Sequence, residues 1–299
     1  MLGISVICPT YRNPKYLDIC IKSLVENKTY TSTHTDVVNG EVAETEIIIV
    51  IDGYYEENKE ILNKYTGSGI SVIDLGVNQG MQHAINIGVM QANNPYVFVI
   101  NDDNVAGKNF DYHLGFSIQQ IIKSQENQLN KDKFILTVNQ MEPISGMFNF
   151  KICDLGQNAE SFRYEEWLLK EEELSDKNGQ IPNVGNIFPF VIAKKYYLAV
   201  GGLDTYYKSP NICDWDFFLK LEILNFNIWT TNTLHLYHFG SVATKKNSEA
   251  EIFKLREQQA ATQYQYKWGR FPYNAPGTNS KIPPNGEFRG FDLLEDFKL

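Results

Sequence analysis

The sequence predicts an α/β fold, with a Rossmann-like, mixed but mainly parallel sheet flanked by helices. Three observations predict it. Four short β-rich runs, at 4–8, 46–51, 70–75 and 96–100, alternate with stretches that carry helical signals, a βαβαβαβ order. Runs such as IIIVI and VFVI are continuously apolar rather than alternating, as expected of parallel strands covered on both faces. The fourth run, within YVFVINDDNV (96–105), ends in two adjacent carboxylates, and open α/β sheets bind ligands at the carboxyl ends of their strands.

Taken in order, the first helix should begin near Asn13-Pro14, because proline suits the first helical position. It places Leu17, Ile21, Leu24 and Val25 on one face and ends near Asn27. Residues 31–45, TSTHTDVVNGEVAET, are polar and β-leaning, so a hairpin or loop insertion is expected there, offering a partner or acceptor surface. Beyond the fourth strand the regularity weakens. We expect a helix near 108–129, a strand at 134–139 and an acidic helix, EEWLLKEEEL, at 165–174. A helix from about Asp214 to Asn225 has Phe217, Phe218, Leu221 and Leu224 on an apolar face. The strand-like TLHLYHF (233–239) follows, and then a helix from about Ser248 to Trp268. Past Gly269, RFPYNAPGTNSKIPPNGEFRGF is rich in Pro, Gly and Asn and reads as an extended tail on the surface.

Composition excludes several function classes. The 299 residues are 43% hydrophobic, with 17 Tyr and 18 Phe, enough for a large core. Lys plus Arg (27) against Asp plus Glu (36) leaves a net charge of -9, so neither nucleic acid nor anionic lipid would be attracted. No apolar run approaches the roughly 20 residues needed to span a bilayer, and no signal peptide is read, so a soluble, cytoplasmic protein is expected. Cys8, Cys20, Cys153 and Cys213 have neither paired nor CxxC spacing and read as reduced core thiols.

The dipeptide Asp102-Asp103 has two readings. Strand alternation sends Asn101 and Asp103 to one side and Asp102 to the other. A hard divalent cation bridging to a diphosphate would account for the charge, since such an ion takes one or two carboxylates and completes its shell from phosphate and water. Alternatively, an Asp here caps the loop or the next helix.

The wider sequence favours the first reading. ISVICPTYRNPKYLDICIKSL (4–24), EIIIVIDG (46–53), NQGMQHAINIG (78–88) and FVINDDNV (98–105) follow, in order and spacing, the N-terminal half of a GT-A glycosyltransferase. The chain resembles glycosyltransferase family 2. GNIFPFVIAKKYYLAVGGLDTYY (185–207), CDWDFFLKL (213–221), HFGS (238–241) and YKWG (266–269) resemble the family's acceptor-half landmarks. The resemblance implies a nucleotide-sugar-binding half at 1–110, an acceptor-binding and catalytic half at 111–269 and a tail at 270–299.

The resemblance also implies roles. Pro9, Thr10, Tyr11 and Arg12 form the loop that holds the nucleotide base, with Tyr11 packing on the ring and Arg12 reaching it or the phosphates. Asp52 accepts a hydrogen bond from uracil N3; the neighbouring acid common in the family is Gly53 here. Asn78, Gly80, Ala84, Asn86 and Gly88 keep the family's spacing, whereas Ile85 replaces its usual Arg, for which His83 or a basic residue from elsewhere is a candidate substitute, a lone helical His also reading as an ordinary hydrogen-bonded side chain. In the altered DXD motif, led by Asn101, Asp103 would bind the metal and Asp102 the sugar or ribose hydroxyls. His238, rather than His235, would complete the metal site, and a nitrogen ligand suits Mn²⁺ better than Mg²⁺. Asp214 matches the catalytic base, with Cys213 in place of the adjacent Glu, although Asp214 also reads as a helix N-cap; Asp216 diverges from it on a helix, and Trp215 offers an apolar face or a core side chain. The implied activity is inverting transfer of a sugar from a nucleotide diphosphate, a UDP-sugar by the Asp52 match, to an acceptor hydroxyl on a glycan. Two other readings stay open: a sugar-phosphate nucleotidyltransferase, although PTYRNPKY lacks a glycine-rich phosphate loop, and a non-catalytic binding module with a degenerate nucleotide site. A dehydrogenase is disfavoured because no GxGxxG follows the first strand.

Overall fold

A computed structural model describes residues 2–30, 44–127, 129–144, 151–175, 180–182, 187–207, 209–240 and 250–269. The expected insertion at 31–45 falls, but for its last two residues, outside the described residues, as do Ser241 and the tail at 270–299.

The β-branched runs form the centre. β1 (Ile4–Thr10), buried throughout, lies between β2 (Glu46–Ile51) and β4 (Tyr96–Val99), and β3 (Ile70–Asp74) pairs with β2; all run parallel. Their crossovers carry α1 (Pro14–Asn27), α2 (Tyr55–Lys64) and α3 (Met81–Gln91). α1 opens on Pro14 as expected. α3 packs closely on the sheet because Gly88 has no side chain: a Cβ there would lie 2.5 Å from Cγ2 of Ile7 and 3.0 Å from Cγ2 of Val50.

The second half adds β5 (Asn104–Ala106), α4 (Phe110–Ser124), β6 (Phe134–Glu142), β7 (Lys151–Ile152), α5 (Tyr164–Leu174), β8 (Gln180–Pro182), β9 (Phe190–Ala193), α6 (Lys194–Ala199), α7 (Pro210–Ile223), β10 (Asn227–His238) and α8 (Ala250–Trp268). Among the described residues all ten strands join one sheet, ordered β3-β2-β1-β4-β9-β6-β10-β5, with β7 beside β6 and β8 beside β10. β9 runs antiparallel between β4 and β6, which turns the parallel half into a mixed sheet.

Several boundaries differ from expectation. β6 runs to Glu142 rather than 139, and TLHLYHF contains the second half of a strand that starts at Asn227. α7 begins at Pro210 with Ser209 as its N-cap, one turn before the expected start. Asp214 therefore lies inside the helix and does not cap it; the proline after Ser209 is the start signal. None of the four cysteines forms a disulfide, and Cys8, Cys20 and Cys213 are buried.

Candidate active site

The carboxyl ends of β1, β2 and β4 bring three candidate segments together. Thr10 closes β1, and its Oγ1 donates to Oδ2 of Asp102 at 2.6 Å; Asn13 Nδ2 donates to Oδ1 of the same carboxylate at 3.1 Å. Burial and the adjacent Asp103 push the Asp102 pKa up to about 7, while the Thr10 and Asn13 bonds act against the shift. Asp102 thus braces the loop from Thr10 to Asn13, next to the buried Pro9. Both its oxygens already have protein partners, an engagement that the expected contact to sugar hydroxyls did not anticipate.

Beyond that brace, Tyr11 meets Tyr54 edge-on at 5.5 Å, and the Arg12 guanidinium lies 4.4 Å over the Tyr54 ring while pairing with Glu57 at 3.2 Å. Tyr54 and Glu57 lie just beyond the EIIIVIDG segment and belong to no sequence motif. Tyr54 is an exposed aromatic with a left-handed φ of 60°, a geometry that no local pattern announces.

Asp52 follows β2, almost fully buried. Its Oδ1 accepts from the Gln79 N–H at 2.6 Å and its Oδ2 from the Gly80 N–H at 3.0 Å. Burial raises its pKa, opposed by those two amides and by the charge of nearby His83. Gly53 explains the missing second acid. With φ +84°, a Cβ there would lie 2.9 Å from the Asn78 amide nitrogen, so no side chain fits. The NQGMQHAINIG segment is largely architectural. Gly80 (φ +102°) caps α3, and the Asn86 side chain holds Leu203 through both backbone groups, at 2.8 and 3.0 Å, while accepting from Tyr197 at 2.6 Å. Ile85 is fully buried, so that position packs against the core; Asn78 is exposed and His83 half-buried.

Asp103 faces away from Asp102, toward β10. Its Oδ1 lies 3.3 Å from Nε2 of His238, the last residue of that strand, and its carbonyl accepts from the Phe239 N–H at 3.3 Å. His238 Nδ1 lies 2.7 Å from Oε1 of Glu142, a residue that belongs to no local sequence motif. Burial lowers the imidazole pKa, but the two carboxylates outweigh it and raise it to about 10. Among the described residues no three His, Cys, Asp or Glu side chains converge as a ready metal cage. One carboxylate and one imidazole nitrogen do fit the two-ligand site expected for an ion that completes its shell from diphosphate and water. His235, by contrast, is buried and its backbone N–H is held by Glu171.

Asp214 sits in the second turn of α7, partly exposed, and Cys213 Sγ lies 3.5 Å from its Oδ1. Burial pushes its pKa up to about 7, with the Cys213 contact lowering it and Glu257 of α8 adding to the rise. Asp216 points elsewhere. Fully buried, it accepts from Tyr207 Oη at 3.0 Å and Trp268 Nε1 at 2.8 Å and pairs with Lys267 at 2.8 Å. The YKWG segment is thus the clamp that fastens α8 to α7. Trp215 is buried, the core alternative of its two readings. Gln82, at the start of α3, donates to the carbonyls of Tyr207 (3.1 Å) and Ser209 (2.8 Å), tying the loop held by Asp52 to the entrance of the helix that carries Asp214.

Sequence comparison agrees with this geometry. Residues 5–114 match the family described as Glycosyl transferase family 2. Over 90 residues the chain is 31% identical to poly-beta-1,6-N-acetyl-D-glucosamine synthase of Staphylococcus epidermidis, covering 30% of this chain and 22% of that protein. Among solved structures, S. aureus TarS 1-349 superposes with a TM-score of 0.53 at 15% identity, covering 88% of this chain and 66% of that one. GalNAc-T7, solved with UDP, GalNAc and Mn²⁺, also gives a TM-score of 0.53, at 12% identity over 80% of this chain and 44% of its own. The chain thus spans about a fifth of its curated relative and under two thirds of these solved chains. Residues 5–114 match glycosyl transferase family 2, and the chain shares the GT-A fold of the TarS and GalNAc-T7 structures.

Proposed function

We propose that the chain is an inverting, metal-dependent glycosyltransferase that moves a sugar from a UDP-sugar to an acceptor hydroxyl on a glycan. The observation that carries this reading is the meeting of Asp103 and His238 at the carboxyl edge of the sheet, in a chain whose N-terminal segment matches a glycosyltransferase family. TarS has been solved in complex with UDP and with UDP-GlcNAc, which supports a uridine nucleotide donor. On this reading residues 1–110 hold the donor and 111–269 the acceptor and the base, with 270–299 as a tail.

Each residue then has a task. Tyr11, Arg12 and Tyr54 flank the base, and the buried Asp52 reads its N3–H. Asp103 and His238 would hold Mn²⁺ or Mg²⁺, which supplies positive charge against the leaving diphosphate. Asp214, with its pKa near neutrality, takes the acceptor hydroxyl proton as that oxygen attacks the anomeric carbon from the face opposite the diphosphate. The C1–O bond to the acceptor forms, the C1–O bond to the diphosphate breaks, and the diphosphate keeps the electron pair. A thermal-shift screen of UDP- and GDP-sugars, with and without Mn²⁺, tests the reading. Stabilisation by UDP-sugars that grows with Mn²⁺ is the expected result; no response to any nucleotide would sink it.

A further inference from the structure

The end of β6 carries a side chain that neither the family match nor the donor site accounts for. Glu142 is the last residue of that strand and is buried. Its backbone is held in the sheet, Glu142 opposite Ile152 of β7, with its carbonyl accepting from the Cys153 N–H at 2.8 Å. Among the described residues its side chain has one polar contact, Oε1 to Nδ1 of His238 at 2.7 Å. The neighbouring strand sets the imidazole by the same means: Tyr237 pairs with Met141 of β6, and His238 pairs with Asn104 of β5, one residue after Asp103. Three strand ends therefore place the row Glu142, His238, Asp103 with the ring between two carboxylates.

A carboxylate can only accept, so Nδ1 must carry a hydrogen to satisfy the short contact. With Nδ1 keeping its hydrogen for Glu142, a cation binds by replacing the proton on Nε2, and the lone pair so freed faces Asp103. A histidine ligand whose remote nitrogen donates to a carboxylate is fixed in tautomer and ring orientation and becomes a more basic ligand. An imidazole without that partner would turn about its side-chain bonds and spread its protons between the two nitrogens.

We propose that Glu142 is a positioning residue that orients His238 and fixes its Nδ1–H tautomer, so that Nε2 and Asp103 present a preset pair of ligands to a divalent cation. The inference rests on the metal-dependent reading above. It concerns a residue outside the family-matched segment, on a strand that supplies no other candidate site residue.

The test is Mn²⁺ titrated by calorimetry into full-length protein held with saturating UDP, comparing wild type, Glu142→Ala, Glu142→Gln and Asp103→Ala. UDP affinity without Mn²⁺ and circular dichroism are followed in parallel. Glu142→Ala should weaken Mn²⁺ binding about ten- to a hundredfold, the usual cost of removing such a supporting carboxylate. Metal-free UDP affinity should not change. Glu142→Gln, whose amide oxygen can still accept from Nδ1, should recover much of the loss, and it keeps the test valid should the alanine variant misfold. Folded Glu142 variants that bind Mn²⁺ like wild type, while Asp103→Ala does not, would overturn the role of Glu142 and leave the metal reading standing. A wild type with no Mn²⁺ binding would overturn both.

Discussion

Asp214 and Asp216 are two residues apart on one helix, and their surroundings give them opposite work. Asp216 is buried among a phenol, an indole and the Lys267 ammonium, so its charge is compensated. Asp214 is desolvated and has the Glu257 carboxylate nearby, which the Cys213 contact only partly offsets, so its charged form is disfavoured and its pKa is raised to about 7. As its folded pKa lies above the unfolded one, its contribution to stability is fully present below the ordinary Asp range and is lost as pH rises toward 7. Asp214→Asn should therefore stabilise the protein at pH 8, by about 1 to 3 kcal/mol, yet lower transfer by roughly 10² to 10⁴. Wild-type transfer should fall off as pH drops below about 7, when the base is protonated. Thermal melts and a pH–rate profile check both; full activity in the Asn variant would remove Asp214 from the mechanism. Asp52→Ala should weaken UDP binding by about 1.5 to 3 kcal/mol in calorimetry, and because this carboxylate also holds Gln79 and Gly80, the melting temperature should fall too.

The elements show what the sequence could and could not tell. The parallel strands were legible because burial on both faces demands unbroken runs such as IIIVI, and α1 was legible from Pro14. The start of α7 was misjudged because its apolar run begins after Asp214, whereas the actual signal, Ser209-Pro210, lies a turn earlier. Glu142, Tyr54 and Glu257 were illegible for a different reason: each becomes relevant only through a partner far away in sequence, which no local pattern encodes. Two junctions between elements carry predictions. Asp216→Ala strips Lys267 and the buried Lys220 of a counter-charge and should cost about 3 to 5 kcal/mol in urea unfolding, by loosening α8 from α7. Gln82→Leu removes the tie between α3 and the approach to α7, and should lower the transfer rate several-fold or more with little change in UDP affinity.

At the scale of the whole molecule, one sheet serves both halves. β1, β2 and β4 deliver Thr10, Asp52 and Asp103 to one edge, and β10 returns from the far side of β9 and β6 to deliver His238 to the same place. The family resemblance picks out all four residues from the sequence; the mixed sheet order, with β9 antiparallel between β4 and β6, is what sets His238 beside Asp103. The charges at the end of β4 thus divide between bracing the loop from Thr10 to Asn13, by Asp102, and facing His238, by Asp103. No described helix is long and apolar enough to cross a membrane. The central claim is that Asp103 anchors a cation without which the donor is not turned over. Its most direct test is Mn²⁺-dependent release of UDP from UDP-sugars by wild type and Asp103→Ala, with circular dichroism on both. The account predicts turnover that chelator abolishes in the wild type and that is absent from the folded variant. Equal turnover by the two proteins, or wild-type turnover indifferent to chelator, would contradict it.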